Sequence, residues 1–274
     1  MMPRERVLIT VKTYPTLSKK YGETVCTAGI REDGSWVRIY PVPFRRLDEE
    51  QQYRKFDWIE CDLMNSRSDP RPETRIPVDV RQLVPVGHIG TDHNWQERRR
   101  LLLHTTTVFT RLETLIAAAK TNMLSLAVFK PTRITDFIIE PDERNWDPAK
   151  VEAMRQRAQQ GDLFDEESWR KTFQIIPKIP YSFSYRFEDE VGQSSEMQIL
   201  DWEIGALYSN CLRKALYDES IALQKVREKY MDAFLQTDIH LFLGTTLQFH
   251  FVAPNPWVII GVLPIPYEQQ ISLF

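Results

Sequence analysis

The stretch Trp257–Leu263 reads Trp-Val-Ile-Ile-Gly-Val-Leu and is the longest uninterrupted apolar run in the chain. Seven apolar residues in a row, rich in β-branched side chains and followed by prolines, predict a strand that is buried on both faces. Pro264 and Pro266 come next, and because proline has no N–H to donate, we expect them to end the strand. This strand is therefore predicted to form part of the core.

The sequence around this run predicts a largely antiparallel sheet with helices packed against it. Tyr181–Phe187 alternates aromatic and polar residues, which is typical of a half-buried strand, and Gly192 marks a turn into Met197–Leu200. The other elements expected in this region are helices over 204–216 and 218–235 and strands over 239–243 and 247–252.

The first ninety residues predict a small barrel or half-barrel. The expected strands cover 7–11, 24–30, 36–40, 56–63 and 78–86, with one helical turn near 47–53 and a loop over 65–77. Architectures similar to the PUA, ASCH or OB folds would fit five such strands. The predicted fold class is thus α+β, with a β-barrel-like domain over 1–90, an α+β domain over 91–266 and an exposed tail over 267–274.

The middle of the chain has a helical pattern. Asn94–Glu97 resembles a capping box, and apolar residues at helical spacing then predict one amphipathic helix that ends near Lys120. Asp147 followed by Pro148 predicts the start of a further helix, and Gly161 predicts its end.

The composition is that of a soluble globular protein, with 42% apolar and 27% charged residues. No apolar run approaches the length of about eighteen residues that a membrane span needs, so we expect no membrane association. Cys26, Cys61 and Cys211 are scattered and show no pairing pattern. A reducing cytoplasm is therefore the expected location.

Charge is distributed unevenly along the chain. Residues 1–135 hold 22 Lys and Arg against 16 Asp and Glu, whereas residues 136–274 hold 13 against 22. A basic first half permits a surface that faces nucleic acid. Within it, basic residues that suit phosphates alternate with aromatic residues that suit bases. The candidate contacts are Arg38, Tyr40, Phe44, Arg45 and Arg46. The alternative is a solvated outer face of the barrel.

Motifs for catalysis are absent. There is no Gly-rich phosphate loop, dinucleotide fingerprint, nucleophile elbow or His-Glu-x-x-His motif, and no metal site or cofactor is predicted. Glu188, Asp201 and Glu203 are candidate catalytic carboxylates, because a hairpin that brought them together could hold a Mg²⁺ ion for a nuclease. In the alternative interpretation, Asp201 caps a helix and Glu188 lies in a solvated turn.

The last five residues are Gln270, Ile271, Ser272, Leu273 and Phe274. They resemble the peptide by which bacterial proteins bind the replication sliding clamp. The resemblance implies that Leu273 and Phe274 fill an apolar pocket and that Gln270 makes a polar contact at its rim. Ile271 stands where that motif usually has leucine. The alternative is that the tail packs on the protein's own core.

A second stretch, Gln160–Phe164, is similar to the same peptide, with glycine in place of the leucine. Packing of its Leu163 and Phe164 beneath a helix end is the alternative.

These patterns predict a cytoplasmic, DNA-associated accessory, repair or defence protein that the bacterial sliding clamp recruits through its C-terminal tail. Two alternatives stay open: a metal-dependent nuclease-like enzyme that uses the hairpin carboxylates, and a non-catalytic structural protein. The sequence leaves undecided whether the protein is an enzyme and whether it binds DNA or RNA.

Overall fold

The protein has the α+β fold that the sequence predicts. The computed structural model describes residues 4–18, 22–161 and 175–267, with side chains described outside 157–161. The described part contains three sheets and five α-helices. Within it, no helix combines the length and apolar character that crossing a membrane requires.

The first sheet is curled into a half-barrel. Its strands are β1 (Glu5–Lys12), β2 (Thr16–Ser18), β3 (Gly22–Ile30), β4 (Trp36–Val42), β5 (Asp57–Cys61), β6 (Leu63–Asn65), β7 (Thr74–Pro77) and β8 (Val84–His88). The order is β6-β7-β4-β3-β1-β5-β8, and β2 pairs with β3. The first four predicted strands are present, although β4 continues through Pro41 to Val42. The strand expected over 78–86 is wrong in its first part: the Asp79 carboxylate accepts from the N–H of Arg81 and caps a 3-10 turn over Val80–Gln82, so β8 begins only at Val84. The stretch expected to be loop contains one strand, β7, which forms because it pairs in parallel with β4.

The remaining strands form two smaller sheets. They are β9 (Val108–Phe109), β10 (Leu126–Phe129), β11 (Arg133–Pro141), β12 (Tyr181–Glu188), β13 (Ser194–Gln198), β14 (Asp238–Thr245) and β15 (Trp257–Ile265). One sheet has the order β15-β14-β10-β9 and the other has the order β11-β12-β13. All pairs are antiparallel except β9 with β10.

Five α-helices accompany these sheets within the described ranges. They are α1 (Asp92–Arg99), α2 (Leu112–Lys120), α3 (Pro148–Gly161), α4 (Trp202–Lys214) and α5 (Glu219–Arg227). A π-helical segment, Glu228–Ala233, and a 3-10 turn, Phe234–Gln236, continue α5 past residue 235, where the sequence predicts the end of the helix. The bounds of α3 agree with the expected start at Pro148 and the expected end at Gly161.

The apolar run Trp257–Leu263 lies in strand β15, which is mostly buried. The prediction that Pro264 ends it is wrong: the strand runs on to Ile265, with Pro264 opposite Ile239 on β14. Because β15 lies at the edge of its sheet, one of its sides needs no ladder hydrogen bonds, and proline is tolerated there.

The single helix predicted from Asn94 to Lys120 is also wrong, since α1, a π-helical turn, β9 and α2 replace it. Thr105, Thr106 and Thr107 interrupt the helix, and three consecutive β-branched residues have low helix propensity. The capping box does not form either. Asn94 has a positive φ of 55°, and its side-chain amide donates to the carbonyl of Tyr267.

The strand expected over 247–252 is a series of turns instead. The carbonyl oxygen of Thr246 accepts from the N–H groups of Phe249 and His250, so the backbone bonds locally and does not pair with β14. An apolar residue, Phe249, is followed by a polar one, His250, as in a half-buried strand. The burial is the reverse of what a strand would need, because Phe249 is exposed and His250 is buried. Alternation alone therefore did not distinguish this connection from a strand.

The two halves of the chain share a hydrophobic core. One buried cluster combines Leu8 and Ile30 of the first sheet with Val128, Phe242 and Ile260 of the four-stranded sheet. Burial of this apolar surface holds the half-barrel against the second half. The contact also creates the cavity described next.

Candidate functional site

A cavity of about 590 Å³ lies between the half-barrel and the second half of the chain. The turn after β1, strand β4 and the loop over 66–71 line it from the first half. The segments around 142–146, 178–183, 198–205 and 245–247 line it from the second half. Residues from both halves are thus required to build this site.

Half-buried aromatic side chains form much of its wall. They are Tyr14, Tyr40, Trp146 and Tyr181. Three of them are held at their polar ends: Tyr14 donates to the carbonyl of Pro177 at 3.0 Å, Trp146 donates to that of Ile176 at 2.7 Å, and Tyr181 lies 2.6 Å from a Glu219 carboxylate oxygen. Burial raises the pKa of Tyr14 to about 12, so its hydroxyl stays neutral. The rings of Tyr14, Trp146 and Tyr181 are therefore held in place.

The polar end of the cavity contains a buried guanidinium. Arg38 is only 2% exposed and lines the cavity from β4. It donates to the hydroxyl of Ser125 at 2.6 Å, to the carbonyl of Ser125 at 2.9 Å and to the hydroxyl of Thr74 at 3.3 Å. Burial lowers the pKa of Arg38 to about 10, so the side chain remains charged at neutral pH. Arg38 therefore links β4 to the start of β10 across the two halves.

A second buried arginine lies beside it. Arg71 donates two hydrogen bonds to the Asp69 carboxylate, one of them from Nε at 2.9 Å. It also donates to the carbonyl of Thr245. Against the effect of burial, the bonds from Arg71 hold the pKa of Asp69 below its ordinary value. Glu73 accepts from the N–H of Ser125 at 2.9 Å. With Arg38, the cluster contains two positive and two negative side chains.

A histidine supports the same end of the cavity. Thr245 Oγ1 lies 2.8 Å from His250 Nδ1, and His250 Nε2 lies 2.9 Å from Asn122 Oδ1. Because an amide oxygen only accepts, Nε2 carries the proton and Nδ1 accepts from the Thr245 hydroxyl. Burial and the nearby Arg71 lower the pKa of His250, which favours its neutral form.

The structure divides the predicted nucleic-acid contacts into two groups. Arg38 and Tyr40 are alternate residues on β4, so both lie on the face that lines the cavity. Phe44 is buried, with its ring 4.9 Å from that of Tyr53 and 5.5 Å from that of Trp202. It therefore belongs to the core.

Arg45 and Arg46 share a short exposed turn outside the cavity. Arg45 pairs with Glu23 at 2.7 Å. These two residues remain candidates for a peripheral phosphate contact.

The candidate carboxylates do not come together. Glu188 lies opposite Ser194 in the β12–β13 hairpin, whereas Asp201 follows the other end of β13, on the order of 20 Å away by strand length. An antiparallel hairpin places the end of one strand beside the start of the next, so the expected juxtaposition of Glu188 with Asp201 was wrong. Glu188 instead pairs with Arg133 at 2.8 Å.

Asp201 caps helix α4, as the alternative interpretation predicted. Its carboxylate accepts from the N–H of Glu203 at 3.2 Å. It also accepts from Lys55 Nζ at 3.1 Å and from the N–H of Val262 at 3.3 Å. Lys55 Nζ lies 2.9 Å from Glu203 as well. Across the described ranges, no group of three or more His, Cys, Asp or Glu side chains could hold a metal ion.

The clamp-like tail, Gln270–Phe274, lies outside the described residues. Of the similar stretch, Gly161 ends helix α3, and Asp162–Phe164 lie outside the described residues too.

Sequence reasoning missed most of the cavity. Asp69 and Arg71 fell in a stretch assigned to loop, and Trp146 precedes a helix without any local pattern around it. Tyr181 was identified only as part of a strand. One signal was available: Asp69, Pro70, Arg71 and Pro72 place two stiff prolines beside two opposite charges.

Comparison with known proteins gives two family matches. The profile of the family described as Domain of unknown function (DUF8758) matches residues 3–104. The profile of a second family, Domain of unknown function (DUF8757), matches residues 105–274. A search of curated proteins finds no match to the chain. Since the second match covers more than half of the 274 residues, the chain belongs to the family described as Domain of unknown function (DUF8757).

Proposed function

We propose that this protein is a DNA-associated accessory factor, which the bacterial sliding clamp recruits through Gln270–Phe274 and which contacts nucleic acid with the face that bears the cavity. The cavity is the observation that carries the proposal. Two residues selected by the basic and aromatic pattern, Arg38 and Tyr40, both line it. Both proposed partners place the protein in the bacterial cytoplasm.

The dimensions of the cavity support a ligand-binding role. Small-ligand sites have volumes of about 300–1,000 Å³ and are mostly apolar, with a few fixed polar groups. The cavity has about 590 Å³, aromatic walls and one polar end. Aromatic side chains that bind single-stranded nucleic acid stack on its bases without strong sequence preference. An aromatic-lined opening between two halves therefore suits a nucleic-acid ligand better than the solvated barrel face does.

The nuclease alternative has no comparable support. Asp201 and Glu203 are both engaged with Lys55, and Glu188 is engaged with Arg133. A Mg²⁺ site needs several oxygen ligands that converge on one point. The proposed role is therefore recruitment and binding.

Replacing both anchors, with Leu273→Ala and Phe274→Ala in one variant, is expected to abolish clamp binding. Burial of a leucine and a phenylalanine contributes about 1.5–3 kcal/mol each, or about 3–6 kcal/mol together. Loss of both anchors should therefore raise the Kd for the clamp by at least about 100-fold. Binding to immobilised clamp by surface plasmon resonance measures this.

The matched control carries Leu163→Ala and Phe164→Ala in the second clamp-like stretch and should bind as the wild type does. An unchanged affinity in the Leu273 and Phe274 variant would contradict recruitment through the tail. A large fall in its melting temperature, with clamp binding absent in the wild type, would favour packing of the tail on the protein itself.

A further inference from the structure

We infer that the cavity takes a single unstacked base, with the phosphates of the strand left outside. This inference rests on the proposed function, because it specifies which part of the nucleic acid enters the site. Two observations carry it: the charge balance at the polar end and the fixed aromatic walls.

Charge balance argues against a phosphate inside the cavity. Asp69 and Glu73 already compensate Arg38 and Arg71, and Arg71 uses its nitrogen atoms on Asp69 and on the carbonyl of Thr245. An entering phosphate would have to displace the Asp69 carboxylate, and it would leave excess negative charge in a buried site. The polar end is therefore built for a neutral ligand.

The walls suit a flat heteroaromatic ring. Hydrogen bonds hold the tips of Tyr14, Trp146 and Tyr181 in place, so these rings do not need to be ordered when a ligand enters. Preorganised aromatic faces favour stacking, because little conformational entropy is lost on binding. Tyr40 contributes a further ring from β4.

Photocrosslinking tests the placement of the base. Full-length protein is mixed with a single-stranded oligothymidylate that carries one 5-iodouracil, and the mixture is irradiated. Mass spectrometry then identifies the crosslinked residue. We expect the crosslink on Tyr40, Trp146 or Tyr181. A crosslink confined to the turn that holds Arg45 and Arg46 would overturn the inference while leaving nucleic-acid binding intact.

Binding of the same oligonucleotide, measured by fluorescence anisotropy, gives the second readout. Tyr40→Ala and Trp146→Ala should each weaken binding by about 5- to 100-fold, as expected for loss of one stacking partner. The control is Tyr217→Ala, whose aromatic ring is 74% exposed and outside the cavity. Equal affinities in all three variants would overturn the inference.

Competition separates the base from the phosphate. Thymidine should displace the oligonucleotide and inorganic pyrophosphate should not, while the reverse order would overturn the inference. If the oligonucleotide does not bind at all, the proposed function is wrong, and the binding of free thymidine then tests the inference. A thymidine-induced rise in melting temperature that Trp146→Ala abolishes supports a base site, and no rise contradicts it.

Discussion

Asp201→Ala is expected to lower the free energy of unfolding by about 3–5 kcal/mol, the range for removing one partner of a buried ion pair. The Asp201 side chain is completely buried and accepts from Lys55, from the N–H of Glu203 and from the N–H of Val262. Its loss leaves the buried Lys55 ammonium with Glu203 alone, and the Glu203 carboxylate is half exposed. The effect should therefore exceed that of an ordinary helix cap.

A matched control is available in the next helix. Asp218 caps α5 by accepting from the N–H of Ile221 at 3.1 Å, but it is exposed. Asp218→Ala should cost only about 1 kcal/mol. Urea unfolding followed by circular dichroism compares the two variants with the wild type. Equal, small losses would mean that Asp201 acts as a cap only and that its bond to Lys55 contributes little.

Arg38→Met is expected to destabilise the protein by a similar amount, about 3–5 kcal/mol. The methionine fills part of the space, but it cannot donate to Ser125 or to Thr74. It also leaves Asp69 and Glu73 with Arg71 as their only neighbouring guanidinium, so the cluster gains a net negative charge. Because Arg38 joins β4 to Ser125 across the two halves, we also expect the cavity to lose its shape and its ligand.

Arg46→Met provides the comparison, since Arg46 is exposed on a surface turn and its replacement should change stability by less than about 0.5 kcal/mol. Denaturant unfolding of both variants measures the difference. An Arg38 variant as stable as the Arg46 variant would contradict the role of Arg38 in joining the halves.

Local patterns in the sequence were sufficient for much of the fold. Alternating residues predicted β12 correctly, and the continuous apolar run predicted the buried strand β15, because a strand's face is determined by its own side chains. The same reasoning failed at 247–252, where Phe249 and His250 alternate but the backbone bonds locally around Thr246. The periodicity of apolar residues does not predict which hydrogen-bond partner the backbone of a segment will have.

The site was harder to predict because distant residues build it. Asp201 was identified as a cap from its neighbours, but its bond to Lys55 joins residues 146 positions apart. Arg38 and Ser125 are 87 positions apart. Arg38 was selected for its charge and its aromatic neighbours, and these features belong equally to a surface residue. Only the packing of one half on the other shows that it is buried.

Hydrogen–deuterium exchange with and without a single-stranded oligonucleotide tests the central claim most directly, because it locates the contact on the intact chain. If the cavity receives nucleic acid, protection should appear in the lining segments 13–16, 38–41, 142–146 and 245–247. These segments come from both halves, so protection should appear in all of them together. Protection confined to the turn Phe44–Arg46, or no protection at saturating oligonucleotide, would contradict the account.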